Sequence, residues 1–413
     1  MVRSTLTFAF TVIAVLLVSV AFSLGQGSPG TSHVFYVGTK GSSSGDLIHL
    51  YGLNGTWHYN DPTALSNAGL PVQGTPITSF SDSLGFHVFL YELSNPLTTH
   101  VYQLYYQAST GKWQNQDITA TANGVPPSGS LTSFADSLGE HVFYEGTDQH
   151  IHQLYGHNTW TDQDLTVISR ASVDPAAGTS LTSFVDSLGE HFFYIATDSH
   201  IHQLYGHNTW SDQDLTAAAT GVSPSSGTVL TGFNDAQGEH VYFIGADNRV
   251  HQLWGHNSWS DQDLTSMTGN LLFPPVASSL ASFANTYGEH VYYLSNATPS
   301  KDDIMELCGC SGRWLLNDTT EHTSGQPGTV LGSPLSGYSS GTGTSTIGQV
   351  PYLGSSAAGS GFADVKTEYC NLACNNISGG ANWQSSDVTS LTGAPPARDP
   401  SFWGPQGLSS FQQ

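Results

Sequence analysis

At 413 residues the chain has room for two or three ordinary domains or one large repeat domain, and 38% hydrophobic and 11% aromatic residues suffice for a packed core. Charged residues are only 10%, Gly is abundant at 45 copies, and long helical patterns are missing beyond the N-terminus, so strands and polar turns are expected. Nine Lys and Arg against 32 Asp and Glu leave a net charge of -23, which excludes nucleic acid and strong anionic membrane binding and leaves neutral partners such as uncharged glycans.

The chain opens on an address. Arg3 precedes the apolar run Leu6 to Phe22, and Ala21-Phe22-Ser23 has the small-x-small shape of a cleavage site. Residues 1–23 are therefore expected to be a signal peptide. An uncleaved N-terminal anchor is the alternative, at the short edge of a membrane span. Either predicts a secreted or cell-surface protein. Residues 24–32 read as a linker.

From residue 33 onward one pattern repeats. W-x-x-x-D-x-T recurs at Trp57, Trp113, Trp160, Trp210, Trp259, Trp314 and Trp383, with spacings between 47 and 69 residues. Other segments keep step with it. "LTSFADSLGEHVFY" at 131–144 has relatives at 77–90, 181–194, 230–243 and 280–293, and degenerate ones at 335–340 and 346–353. "HIHQLYGHNTWTDQDLT" at 150–166 returns at 200–216 with Ser211 in place of Thr161. Each unit reads as four short strands, L-T-S-F, H-V-F-Y, I-H-Q-L-Y and W-x-D-x-D-L-T, separated by turn signals. A unit of about 50 residues with four strands predicts a β-propeller blade.

The two ends predict how the ring closes. "HVFYV" at 33–37 is a second strand with no first strand before it, and "LSSF" at 408–411 is a first strand with no second after it. Joined, they complete unit one and remove the open sheet edges. The expected fold is all-β: residues 33–413 form a single seven-bladed β-propeller of four-stranded blades.

These repeats resemble those of the fucose-specific lectin-like β-propellers, in particular the bacterial secreted type, over about residues 33–411. The resemblance implies sugar pockets between neighbouring blades, each held by a Trp or Tyr face with an Arg and a Glu. The Glu is matched by Glu140, Glu190, Glu239 and Glu289, and the aromatic by Tyr155, Tyr205, Trp254 or each blade's Trp. The Arg has no counterpart: Arg170, Arg249 and Arg313 fall at unrelated places in the repeat.

The residues themselves leave several readings open. Trp-Asp-Thr occurs in every unit, which fits blade packing and a capping Asp better than ligand stacking by Trp160, Trp210 or Trp259. Gln153, Gln203 and Gln252, with Gln103 in unit two, are two-way hydrogen-bonding groups beside an aromatic, suited to sugar hydroxyls or to an inter-strand amide bond. His141, His191, His240 and His290 read as structural or sugar-binding, and so do His152, His202 and His251; no metal centre and no cofactor is expected. An enzyme is not expected, because glycoside hydrolysis needs one opposed carboxylate pair and most acids here are repeated.

Cys308, Cys310, Cys370 and Cys374 lie in the weakest units, six and seven, where export predicts disulfides with any of three pairings. Sequons stand at Asn54, Asn296, Asn317 and Asn376. The favoured function is a secreted multivalent carbohydrate-binding protein, with a protein-interaction or structural surface module as the alternative. Sugar sites are expected around units two to five, because Ser32 and Gln349 replace the Glu, and Cys308 and Cys370 the Tyr.

Overall fold

A computed structural model describes residues 32–412 apart from 40–44, 54–55, 95–97, 158, 207–208, 256–257, 270–273, 275–277, 299–300, 311, 323–328, 330–332, 341–346, 356–361, 372–382 and 399–407. The expected signal segment, Cys374 and the sequons Asn54 and Asn376 lie outside the described residues. No described helix is long and apolar enough to cross a membrane.

Seven antiparallel sheets form the seven blades of a β-propeller. Blade 3 is representative: strands Pro127–Ala135, Glu140–Gly146, Ile151–Gly156 and Trp160–Asp164 lie side by side in that order. Blade 1 closes as its ends predict. Leu408–Gln412 pairs antiparallel with Ser32–Val37, so the two ends of the chain share one sheet. Blade 7 carries an extra short strand, Ala397–Arg398, paired with the edge of Phe362–Asn371.

The second strands are buried on both faces, and the reason lies in where the core sits. Seven apolar clusters fill the spaces between blades. Phe143 and Ile151 of blade 3, for instance, pack with Phe192, Tyr194 and Trp210 of blade 4. Each blade therefore presents an apolar face to both neighbours, and alternate residues of one strand serve both.

The L-T-S-F strands line the axis. Ile77, Leu131, Leu181, Leu230, Leu280, Leu335 and Leu408, one from each unit, converge on a cavity of about 410 Å³. The hydroxyls beside them link blade to blade: Thr78 to Ser133 at 2.8 Å, Thr132 to Ser183 at 2.9 Å, and Thr231 to Ser282 at 2.9 Å.

The W-x-x-x-D-x-T motif differs from expectation in one respect. Its last two residues are helical, because the Asp ends the strand and caps a short helix, as in Leu165–Ser169. Asp164 accepts the N–H of Val167 at 2.9 Å, and Asp61, Asp117, Asp214, Asp263 and Asp387 cap the equivalent turns. The Thr then reaches back to the third strand. In all seven blades its hydroxyl accepts a backbone N–H, from Thr166 to Ile151 at 2.9 Å and from Thr389 to Val365 at 2.8 Å, for example. The Trp is a packing residue. Trp160, 5% exposed, meets Phe89 of the preceding blade edge-on at 6.1 Å, and Trp210 meets Phe143 at 6.3 Å.

Thr166→Val keeps the shape and removes only the acceptor for a buried N–H. It is expected to destabilise the protein by about 1–3 kcal/mol in a denaturant titration. A variant as stable as the parent would show that the hydroxyl is dispensable.

Candidate functional site

The G-E-H motif begins at a glycine with no substitute. Gly189 has φ +139°, and an added Cβ would lie 2.6 Å from the Gly206 carbonyl oxygen. The Glu and His that follow start the second strand and point in opposite directions across the pleat. The Glu meets the preceding blade, and the His faces the following one.

A chain of four polar side chains follows, running across each junction from blade 2 to blade 6. His87 Nε2 meets Asp82 at 3.0 Å, while Nδ1 lies 2.9 Å from Gln103 Nε2 and 3.2 Å from Glu140 Oε2 of blade 3. Gln103 donates to Glu140. The same joint is built from Asp136, His141, Gln153 and Glu190, where Gln153 donates to Glu190 at 2.5 Å. It returns as Asp186, His191, Gln203 and Glu239, and as Asp235, His240, Gln252 and Glu289. The Glu, His and Gln are buried at nearly all of these positions.

The sequence-derived sets are thus divided differently in space. Glu140, Gln153, Tyr155 and Trp160 share a unit but not a site: Glu140 closes the junction with blade 2, and Gln153 and Tyr155 face the junction with blade 4. Glu190, Gln203, Tyr205 and Trp210 divide likewise, as do Glu239, Gln252, Trp254 and Trp259. Trp160, Trp210 and Trp259 are buried, whereas Tyr155 and Tyr205 are 38% and 39% exposed. The Asp at the hairpin, Asp82, Asp136, Asp186 or Asp235, was not singled out from the sequence. Its signal was present, since a D follows S-F-x in three of the four segments and F-N in the fourth.

Between blades 2 and 3 the joint opens into a cavity of about 470 Å³ lined by Leu84, His87, Gln103, Tyr105, Gln107, Asn115, Gln116, Glu140 and His157. Glu140 accepts from Gln103 through one oxygen, and its Oε1 lies 3.1 Å from Nδ1 of the exposed His157. Tyr105, the counterpart of Tyr155, stacks parallel to His87 with ring centres 6.2 Å apart. The wall offers amides, an imidazole and a carboxyl oxygen around a flat aromatic face, a set that both donates and accepts hydrogen bonds.

The outer histidines pair with acids instead. His152 lies between Asp148, 3.1 Å from Nε2, and Asp162, 3.1 Å from Nδ1. His150 meets the capping Asp164 at 2.7 Å, and Arg249 holds the same place in blade 5 against Asp263 at 2.6 Å. Among the other single acids, Glu145 accepts the Gly178 N–H at 2.8 Å, and burial raises Glu92 to about 7.

Blade 7 corrects two sequence assignments through its register. Gln349 pairs with Tyr338 as His141 pairs with Phe134, so Gln349 stands in the place of the His and Gly348 in the place of the Glu. Tyr369 pairs with Gln349, so the Tyr is kept and Cys370 falls one residue later. In blade 6 the alignment holds: Cys308 pairs with His290. The Cys308 and Cys310 side chains are in contact, with Cα atoms 5.2 Å apart, so this pair ties no blade to another. Nearby, the sequon Asn317 is buried and donates to Glu306 at 2.7 Å. Burial would raise the Glu306 carboxyl, but hydrogen bonds from His290, Asn317 and Tyr292 hold it below its usual range.

No protein-family model matches the chain, nor does any curated protein. Solved structures do. A six-bladed fungal lectin from Aleuria aurantia aligns at 14% identity over 70% of this chain and 91% of its own, with a TM-score of 0.47. AofleA from Arthrobotrys oligospora aligns at 14% identity over 71% of this chain and 87% of its own, with a TM-score of 0.45. SapL1 lectin, solved with alpha methyl fucoside, aligns at 13% identity over 73% and 94%, with a TM-score of 0.47.

The joints predict a pH dependence. Burial lowers the His87 imidazole, but Asp82 and Glu140 on either side outweigh it and raise it to about 9; His141 and His191 are raised in the same way. A folded pKa above the unfolded value of 6.5 contributes stability that is complete below 6.5 and lost as pH rises through about 9. Thermal stability is expected to fall between about pH 6 and pH 10, where ordinary carboxylates no longer titrate and the raised Glu92 adds a background common to parent and variant. The slope is expected to flatten in a variant carrying His87→Gln, His141→Gln and His191→Gln. An equal slope in parent and variant would assign the alkaline loss to other groups.

Proposed function

We propose that this protein is a secreted, multivalent carbohydrate-binding propeller that acts without catalysis. The cavity between blades 2 and 3 carries the reading. Sugar hydroxyls donate and accept at once, and the Gln107, Asn115 and Gln116 amides, the Glu140 carboxyl and His157 meet both needs around the Tyr105 ring. A cavity of about 470 Å³ is within the size range of small-molecule sites.

Multivalency rests on repetition, since four successive junctions carry the same Gln, Glu and His, and three of them follow the Tyr105, Tyr155 and Tyr205 series. Secretion rests on the apolar segment from Leu6 to Phe22 behind Arg3. The absence of catalysis rests on how the repeated carboxyls are used: Glu140, Glu190, Glu239 and Glu289 are each engaged by an amide of the neighbouring blade. Neutral glycans are favoured by the net charge of -23. The second reading, a protein-interaction or structural surface module, draws on the same fact, because buried joints hold a ring together whether or not a sugar binds.

Immobilised neutral glycans and the mature, exported protein separate the two. Single sites are expected to be weak, near millimolar, with three or four sites on one ring strengthening surface binding about 10²–10⁴-fold. Replacing Tyr155, Tyr205 and Trp254 together with Ala is expected to reduce surface retention to that of the one weak site left between blades 2 and 3 without unfolding the ring, and His157→Ala to weaken that remaining site. Retention equal to the parent's in both variants would place the sites elsewhere. Failure of the parent to bind any neutral glycan at micromolar concentration would favour the surface module.

A further inference from the structure

Blade 6 replaces the polar joint with a different donor set. Three positions of the repeat change together, all within one corner of the sheet. The hairpin Asp becomes Asn285, the Gln becomes Glu306, and the Tyr becomes Cys308. Cys310 takes the position of Gln107, opposite the glycine of G-E-H. His290 is kept.

The consequence is a turned imidazole polarity. In blades 2 to 5 the ring's Nε2 faces the hairpin Asp. In blade 6 Asn285 keeps the turn bond those Asp residues also make, accepting the Tyr287 N–H at 2.8 Å, but the ring has lost its partner: His290 Nε2 is buried with no hydrogen-bond partner among the described residues. Nδ1 is taken by Glu306 Oε1 at 2.8 Å. A carboxylate on Nδ1–H fixes the tautomer that leaves a lone pair on Nε2, the arrangement that prepares histidine for a metal. The other two donors are beside the ring: a nitrogen of His290 and the sulfurs of Cys308 and Cys310 lie within 4.8 Å of one another. All three residues are at most 2% exposed. The acid–imidazole trios of the other blades also converge, but their ring nitrogens are already occupied by hydrogen bonds.

We propose that the dithiol form of the protein binds one thiophilic d¹⁰ cation, zinc(II) or copper(I), through Cys308, Cys310 and His290, with Glu306 as the positioning residue. Sulfur donors with imidazole select such ions over magnesium or calcium. Two thiolates cancel the charge of zinc, which suits a buried site. Three donors without water suit copper(I). Nothing in this reading depends on sugar binding.

The test uses full-length protein, reduced and kept anaerobic, with free thiols counted before titration. Zinc(II) and copper(I) are added separately against chromophoric chelators. One equivalent of at least one ion per chain is expected, with thiolate-to-metal absorption and a raised melting temperature. Cys308→Ser and Cys310→Ser are each expected to remove binding, while the double variant Cys370→Ser, Cys374→Ser retains it. Glu306→Gln is expected to weaken affinity about 10–100-fold, with the absorption preserved at saturation. Circular dichroism and a cooperative melt identify any variant that fails to fold. Three results would overturn the proposal: no saturable binding of either ion, parent-like binding by a folded Cys308→Ser protein, or a Cys308–Cys310 bond that resists reduction.

Discussion

The ring depends on a hydrogen bond that leaves one blade and ends in the next. Gln103, Gln153, Gln203 and Gln252 each donate to a carboxyl on the following blade, buried in the first three cases and partly buried at Glu289. Hydrophobic contact alone does not set the angle between two sheets closely, because apolar surfaces slide at little cost. A buried amide and carboxyl have a narrow range of workable geometry, and breaking the pair leaves a desolvated polar group at a cost of about 1–3 kcal/mol or more. That constraint explains why the two residues stand or fall together. Where blade 2 has Phe86 instead of the Glu, blade 1 has His49 instead of the Gln, and the junction becomes aromatic: His33 and His49 lie 4.3 Å and 5.9 Å from Phe86. Burial drives His33 down to about 3, so it stays neutral there. Between blades 7 and 1, Thr367 faces a junction where Ser32 has replaced the Glu. Between blades 6 and 7 the carboxyl has crossed sides: Glu306 stands in the Gln position while Gly348 fills the Glu position. No junction keeps half of the pair.

The same constraint limits what the cavity between blades 2 and 3 has to offer a ligand. A carboxyl whose one oxygen is tied to the neighbouring amide has a single oxygen left to offer, and at Glu140 that oxygen faces His157 and the cavity. The cavity wall is then built on a rigid joint, with its geometry set before any ligand arrives. Preorganisation of this kind limits the ordering cost of binding. At the junction of blades 5 and 6 the Tyr242 hydroxyl also donates to Glu289 at 2.5 Å, a donor that Phe89, Phe143 and Phe193 at the equivalent position of blades 2 to 4 cannot supply. Repetition in sequence therefore does not make the junctions equal.

Much of this was readable from residues alone, for a physical reason. A repeat that must bury a face against its neighbours rewrites the same residues in each unit, and the Trp, Asp and Thr of the outer strand are visible because each has one job in every blade. The ring closure followed from a strand missing at each end. The junction pairing was hidden because Glu140 and Gln103 are neighbours only once blades stack; within a unit the nearer partner is Gln153, which belongs to the next junction. The helical turn after each Asp is not legible in the sequence because a helix of five residues has no periodicity to read. In blade 7, Gln349 resembled the missing Glu by chemistry, and only the strand register, with Tyr338 opposite it, shows that it replaces the His.

Blade 6 shows what happens once a joint is released from its common form. With Asn285 no longer accepting from the ring and Glu306 holding its other nitrogen, His290 keeps its place in the strand but exchanges its partners. Tyr292 supplies a hydroxyl to Glu306 at 2.8 Å and Asn317 an amide at 2.7 Å, so the carboxyl is surrounded by donors within its own blade. The carboxyl thereby stops serving as a bolt to blade 7, and that junction rests on apolar contacts such as Phe283, Leu294 and Ile304 with Val350 and Tyr352, with serine hydroxyls donating across it from Ser279 to the Ser333 carbonyl and from Ser339 to the Ala284 carbonyl. A polar group freed from holding blades together becomes available for chemistry. The imidazole beside the two cysteines is where that freedom is concentrated.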